Sequence, residues 1–199
     1  MKGFGNNDRT NKKSVEKNVK DLRKDKLISS ALSFHSKGKT KEALDIYNFL
    51  IKNKIYDPRV FNNLGSIYSQ FKQFDKAKLL FEESIKKFPK SLDAYPNLAS
   101  VLIIKGKSDI AKKILKRAIE LNPNYLRPYS ILSGILVGED NLEKAEFFLR
   151  KSLEINPKDI NALVNLACVL KDKGNPEQAE IFLRNALEIN PNYNFALTN

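Results

Sequence analysis

Asparagine returns at a fixed interval along this chain. Asn63, Asn97, Asn165 and Asn199 lie on a 34-residue grid whose place between Asn97 and Asn165 holds Ile131. A carboxamide offers both a donor and an acceptor, so a row of them can clamp the backbone of an extended peptide without reading its side chains. Arg59 and Arg127 add guanidinium groups suited to a carboxylate. Ile103, Ile104 and Ile131 add apolar contacts, and Val137, Val164 and Cys168 extend the strip. This is the chemistry of binding.

The residues that would support catalysis or metal binding are sparse. The chain has one histidine, His35, one cysteine, Cys168, and no tryptophan. A His/Cys zinc site needs three or four ligands, and nothing places triad partners beside His35. A lone cysteine forms no intramolecular disulfide, which excludes a stapled secreted scaffold. Lys37-Gly38-Lys39-Thr40 and Lys105-Gly106-Lys107-Ser108 imitate the end of a phosphate-binding loop. The glycine required five residues earlier is Ser33 in one and Val101 in the other, both inside helical patterns. Glu82-Glu83 and Glu139-Asp140 read as solvated surface. The expectation is a non-enzymatic protein without metal or cofactor.

The elements that must position these residues follow from the same period. Asn122-Pro123, Asn156-Pro157 and Asn190-Pro191 recur every 34 residues, and one step back lies Pro89. The block from 58 to 91 carries Phe61, Leu64, Gly65 and Tyr68, then Ala77, Phe81 and Ser84, then Pro89. Blocks 92–125, 126–159 and 160–193 repeat this skeleton, and 24–57 is a degenerate copy with Ser30 and Ile55 in place of the large apolar residue and the proline. Apolar residues at block positions 4, 7, 8 and 11, and again at 20, 24 and 27, mark one face of each of two helices. Small residues at positions 8 and 20 let the helices approach closely. Gly38, Gly106 and Gly174 fall at position 15, where the turn belongs. Thr40, Ser108 and Asn175 are expected to cap the second helices, with Pro176 at a first helical position.

Phe61-x-x-Leu64-Gly65-x-x-Tyr68, Ala77-x-x-x-Phe81 and Pro89 resemble the signature of the tetratricopeptide repeat, with Phe in place of its first Trp. The resemblance covers residues 24–193. It implies an all-α fold, a right-handed α-solenoid of five helix-turn-helix units, uncapped at the C-terminus, whose concave face binds a protein or peptide. In the resembled family, positions 2, 5, 6, 9, 12 and 13 of each first helix line that face. Arg59, Asn63, Asn97, Ile103, Ile104, Arg127, Ile131 and Asn165 are then the peptide-binding residues, with the asparagines clamping backbone and the arginines reading an acidic segment. A similar asparagine ladder is known in the repeat region of protein O-linked N-acetylglucosamine transferases. An alternative is therefore the substrate-recruiting part of a glycosyltransferase- or sulfotransferase-like protein whose catalytic domain is absent. A carboxylate clamp of the chaperone-cochaperone type fits Arg59, Asn63, Asn97 and Arg127 but meets Ile131 where its last basic group belongs.

Charge and the two ends complete the expectations. Lys and Arg total 35 against 23 Asp and Glu, a net charge of +12. The excess lies in the first three blocks and the 23 residues before them. Non-specific RNA association is a lesser alternative; no aromatic stacking motif supports specific nucleic-acid recognition. Lys112, Lys113 and Lys116 are expected on the solvated outer helices. Residues 1–23 read as a basic flexible segment, and 194–199 as the start of a truncated sixth repeat whose exposed end invites self-association. No apolar run approaches the roughly 18 residues that span a bilayer, and the expected location is cytoplasmic.

Overall fold

The computed structural model of the chain describes residues 22–193. Among these residues it holds ten helices and no strand. They are α1 (22–36), α2 (Thr40–Lys52), α3 (Pro58–Gln70), α4 (Phe74–Lys87), α5 (Ala94–Ile104), α6 (Ser108–Leu121), α7 (Leu126–Gly138), α8 (Leu142–Ile155), α9 (Ile160–Asp172) and α10 (Pro176–Ile189). Leu22 and Arg23, expected in the flexible lead-in, are already helical. The rest of that lead-in, and the sixth-repeat segment 194–199, lie outside the described residues. The chain forms two compact units that divide between Phe88 and Pro89.

In the N-terminal unit, Ile28, Ala31, Ala43, Tyr47, Leu50, Val60, Leu64 and Ile67 share one core. Ile28 compensates for the serine at the next core position of the degenerate block: it is fully buried whereas Ser30 is exposed. The α3/α4 pair shows why position 8 is small. A Cβ built on Gly65 would stand 2.6 Å from Phe81 Cε1, well inside van der Waals contact.

In the C-terminal unit the same positions recur as Ala99 with Leu115, Ser133 with Leu149 and Ala167 with Leu183. Leu115 and Leu149 are buried, like Tyr47 and Phe81 in the other unit, whereas Leu183 in the last pair is half-buried. With Ala167, Cys168, Ala179 and Leu187 it lines an open groove of about 330 Å³.

The turns repeat as faithfully as the core. All five turns inside the blocks put position 15 in the left-handed region: Gly38, Gly106 and Gly174, but also Lys72 (φ 58°) and Asp140 (φ 57°). Each closes the preceding helix by the same pair of backbone bonds, as in Lys72 N–H to Ser69 O (2.9 Å) and Gln73 N–H to Tyr68 O (2.8 Å). Between blocks, Asn122, Asn156 and Asn190 take the extended conformation that a following proline favours. Their Oδ1 atoms accept from the N–H two residues on, at 3.0, 3.2 and 3.1 Å. Ile55 in the degenerate block has a positive reason not to be proline. Its N–H donates to Leu50 O at 2.9 Å, behind a left-handed Lys54.

The helix caps correct one expectation. Asn175 caps α10, accepting from Gln178 N–H at 3.4 Å, and Pro176 follows it. Thr40 and Ser108 instead lie one residue inside α2 and α6, whose caps are Lys39 and Lys107. No helix among the described residues is long and apolar enough to cross a membrane.

Candidate functional site: the first-helix faces

The expected binding residues sit on the first helices of the blocks, and each unit presents its own set. In the N-terminal unit, Asp57 starts α3 as its cap and its Oδ1 accepts from Arg59 N–H at 3.0 Å. Pro58 at the first helical position and this cap fix the direction in which Arg59 leaves the helix. Its Nε donates to Asp57 Oδ1 at 2.8 Å, and Nη2 to Asp57 Oδ2 at 2.9 Å and Asp25 Oδ1 at 2.7 Å. Lys24 lies 3.1 Å from Asp57 Oδ2. Burial works to raise the pKa of this carboxyl, but the Arg59 and Lys24 bonds and the Arg59 backbone N–H outweigh it and hold Asp57 at about 2. The two carboxylates in turn raise the pKa of Arg59. Arg59 thus already carries carboxylate partners from its own chain, and Asp25 is the exposed one.

One turn along α3, Asn63 donates through Nδ2 to Arg59 O at 2.7 Å, which leaves Oδ1 as an outward acceptor. Asn63 shares an open groove with Leu32, Ser33, His35 and Ser36 of α1. Sequence reasoning set His35 aside as structural or solvated. Leu32, His35 and Ser36 occupy block positions 9, 12 and 13, so applying the family positions to the degenerate block would have found three of these four neighbours.

In the C-terminal unit, Arg127 at the start of α7 donates from Nη2 to Asn97 Oδ1 on α5, at 2.8 Å. Here the amide oxygen is the engaged atom and the NH2 of Asn97 is left to donate. Tyr125 stands half-buried beside them. Burial, and next the Asp93 carboxylate, raise its phenol pKa. Ile103 and Ile131 are half-buried, Ile104 is 59% exposed, and Asn165 on α9 is exposed. The structure therefore brings Asn97 and Arg127 into direct contact on a face that also carries isoleucine.

Two members of the apolar strip sit elsewhere. Val164 is 1% exposed and packs in a core with Leu163 and Ala186, because its block position faces the neighbouring helices. Cys168 is half-buried in the groove at the last helix pair, and burial raises the pKa of its thiol, the direction that disfavours a nucleophile. Among the described residues no group of His, Cys, Asp and Glu could hold a metal ion.

Sequence profiles described as "Tetratricopeptide repeat" match residues 58–89, 92–125 and 136–197, together nearly two thirds of the chain. No curated protein sequence matches it. Similar solved structures include YrrB, titled a TPR protein with an unusual peptide-binding site, at 24% identity and a TM-score of 0.67 over 92% of this chain and 95% of that one. MamA is similar at 22% identity and a TM-score of 0.70, covering 83% of this chain and 91% of that one. A thermophilic TPR protein from Thermus thermophilus is similar at 18% identity and a TM-score of 0.69, covering 88% and 95%. At these identities the likeness establishes the fold.

Proposed function

Since the chain belongs to the tetratricopeptide repeat family, we propose that it is a cytoplasmic interaction scaffold whose first-helix faces bind an extended peptide or partner helix. The observation that carries this reading is the Asn97–Arg127 contact. A guanidinium that holds the amide oxygen turns Asn97 into an oriented donor for a peptide carbonyl. The remaining N–H groups of Arg127 are suited to an acidic side chain. Ile103, Ile104 and Ile131 supply apolar contact, and Asn165 a further amide. In the N-terminal unit Asn63 offers the complementary acceptor, and Arg59 takes part where an incoming carboxylate displaces Asp25. That YrrB is described as having an unusual peptide-binding site supports the reading by analogy of fold.

The test is a random-peptide display selection on the full chain, followed by titration of the enriched peptides. Binding should weaken at least tenfold in Asn97→Ala/Arg127→Ala, with helix content unchanged by circular dichroism. Selection of no peptide, or equal affinity for both chains, removes this assignment.

A further inference from the structure

A second surface, away from Asn97 and Arg127, is built differently at two equivalent places in the C-terminal unit. Where α8 and α10 flank α9, the groove is filled from within. Arg150 lies with its guanidinium 5.6 Å from the Phe182 ring centre, and it bonds Glu146 at 2.7 Å and Gln178 at 3.5 Å. Lys173 closes the rim on Glu146 at 2.8 Å.

One block earlier, where α6 and α8 flank α7, the same block positions hold other residues. Lys116 stands for Arg150, Phe148 for Phe182, Lys144 for Gln178 and Lys113 for Phe147. The rim pair survives with its signs exchanged: Lys112 alone bonds Glu139 at 2.7 Å and Asp109 at 3.0 Å, and Asp109 also feels the charge of Lys113. Lys113, Lys116 and Lys144 make no hydrogen bond or ion pair among the described residues. Among the described residues no cation lies over the Phe148 ring as Arg150 lies over Phe182, and a groove of about 380 Å³ stands open, lined by Leu132, Leu136 and Phe148 together with the lysines.

We propose that this groove binds an acidic peptide segment of a partner protein, its carboxylates among Lys113, Lys116 and Lys144 and an apolar side chain lying against Phe148. Four lysines against Asp109 and Glu139 leave an excess of two positive charges around the opening, which attracts an anion. The apolar floor distinguishes the occupant from a bare polyanion: an acidic stretch interrupted by an aromatic or leucine satisfies both parts. Phe148 is fixed for this role by its edge-on contact with Phe147 at 5.3 Å. This surface is independent of the first-helix faces.

The probe is a fluorescein-labelled peptide, acetyl-Glu-Asp-Phe-Glu-Asp-Glu, titrated against the full chain at physiological salt by fluorescence anisotropy. Saturable binding is expected, at least tenfold weaker in Lys113→Gln/Lys116→Gln/Lys144→Gln and several-fold weaker for the peptide with glycine in place of phenylalanine. A second variant, Lys112→Glu/Lys116→Arg/Glu139→Lys/Lys144→Gln, rebuilds the closure of the neighbouring groove and should also lose the peptide. In the Asn97→Ala/Arg127→Ala background, where the first-helix face no longer contributes, saturable binding should remain and should still fall at least tenfold on adding Lys113→Gln/Lys116→Gln/Lys144→Gln. The proposal is overturned by no saturation at millimolar protein, by equal affinity in the lysine variants, or by complete loss of saturable binding in Asn97→Ala/Arg127→Ala while the three lysines are intact. It is equally overturned if a uridine 20-mer RNA binds the same lysines more tightly than the peptide.

Discussion

Replacing Gly65 by alanine should destabilise the protein, against the direction that helix propensity alone predicts. Gly65 lies within α3, where alanine is better than glycine by about 1 kcal/mol. Its new methyl, however, would meet three atoms of the Phe81 ring at 2.6, 2.8 and 3.0 Å. Phe81 is 1% exposed, so the ring has no free space into which to swing. Overpacking of this kind costs about 1–3 kcal/mol, leaving a net loss of about 1 kcal/mol after the propensity gain. The measurement is a urea titration followed by circular dichroism at 222 nm. A second substitution sharpens it, because Gly65→Ala/Phe81→Leu copies the pairs Ala99 with Leu115 and Ala167 with Leu183 that the chain already uses. In the Phe81→Leu background the alanine should no longer destabilise, a coupling of about 2 kcal/mol in the double-mutant cycle that equals the overpacking relieved. Gly65→Ala as stable as the native chain, or two changes that simply add, would refute the claim that this ring fixes the residue.

Other expectations use the same titrations. Lys72→Gly and Asp140→Gly should each stabilise by about 0.5–1 kcal/mol, since a left-handed residue with a Cβ costs about 1–2 kcal/mol and glycine returns part of that as chain entropy; Gly106→Ala should lose about 1 kcal/mol. Asp57 is held at about 2 against an ordinary 3.8, so its contribution is complete above pH 4 and is lost as pH falls toward 2. That loss is about 2 kcal/mol, visible as a urea midpoint that falls more steeply with acid in the native chain than in Asp57→Asn. Asn62 is 7% exposed with neither amide atom bonded among the described residues. Asn62→Val, which copies Val164 at the same block position, should therefore stabilise by about 1 kcal/mol.

The helix pairs and three of the five tight turns are legible in the sequence because they rest on short-range rules: apolar spacing, small residues at contact positions and glycine where φ is positive. Lys72 and Asp140 carry the same turn without advertising it, since a non-glycine residue reaches that conformation only when the surrounding helices hold it there. The caps at Thr40 and Ser108 are displaced by one residue for a related reason: a hydroxyl near a helix start is suggestive, but where the backbone enters the helix is set by the turn before it. At the candidate sites, residue types were legible and bonding was not. Arg59 and Asp25 are 34 residues apart, and nothing local announces that each already holds the other. The same limit applies to the outer groove. Lys113 and Lys116 read as solvated because only the folded neighbour, with Arg150 laid over Phe182, shows what that position can cover.

The bonds that close each turn join residues two to five positions apart. A chain organised in this way asks little of loop closure, and proteins dominated by local contacts fold quickly. During synthesis the turn of a helix pair can close once its own 34 residues have left the ribosome, and its apolar face is buried when the next helix follows, as α3 completes the core of α1 and α2. Structure can then accrue in the order of translation. Lengthening such a gene by one block would add helices to the product without adding a slower step to its folding.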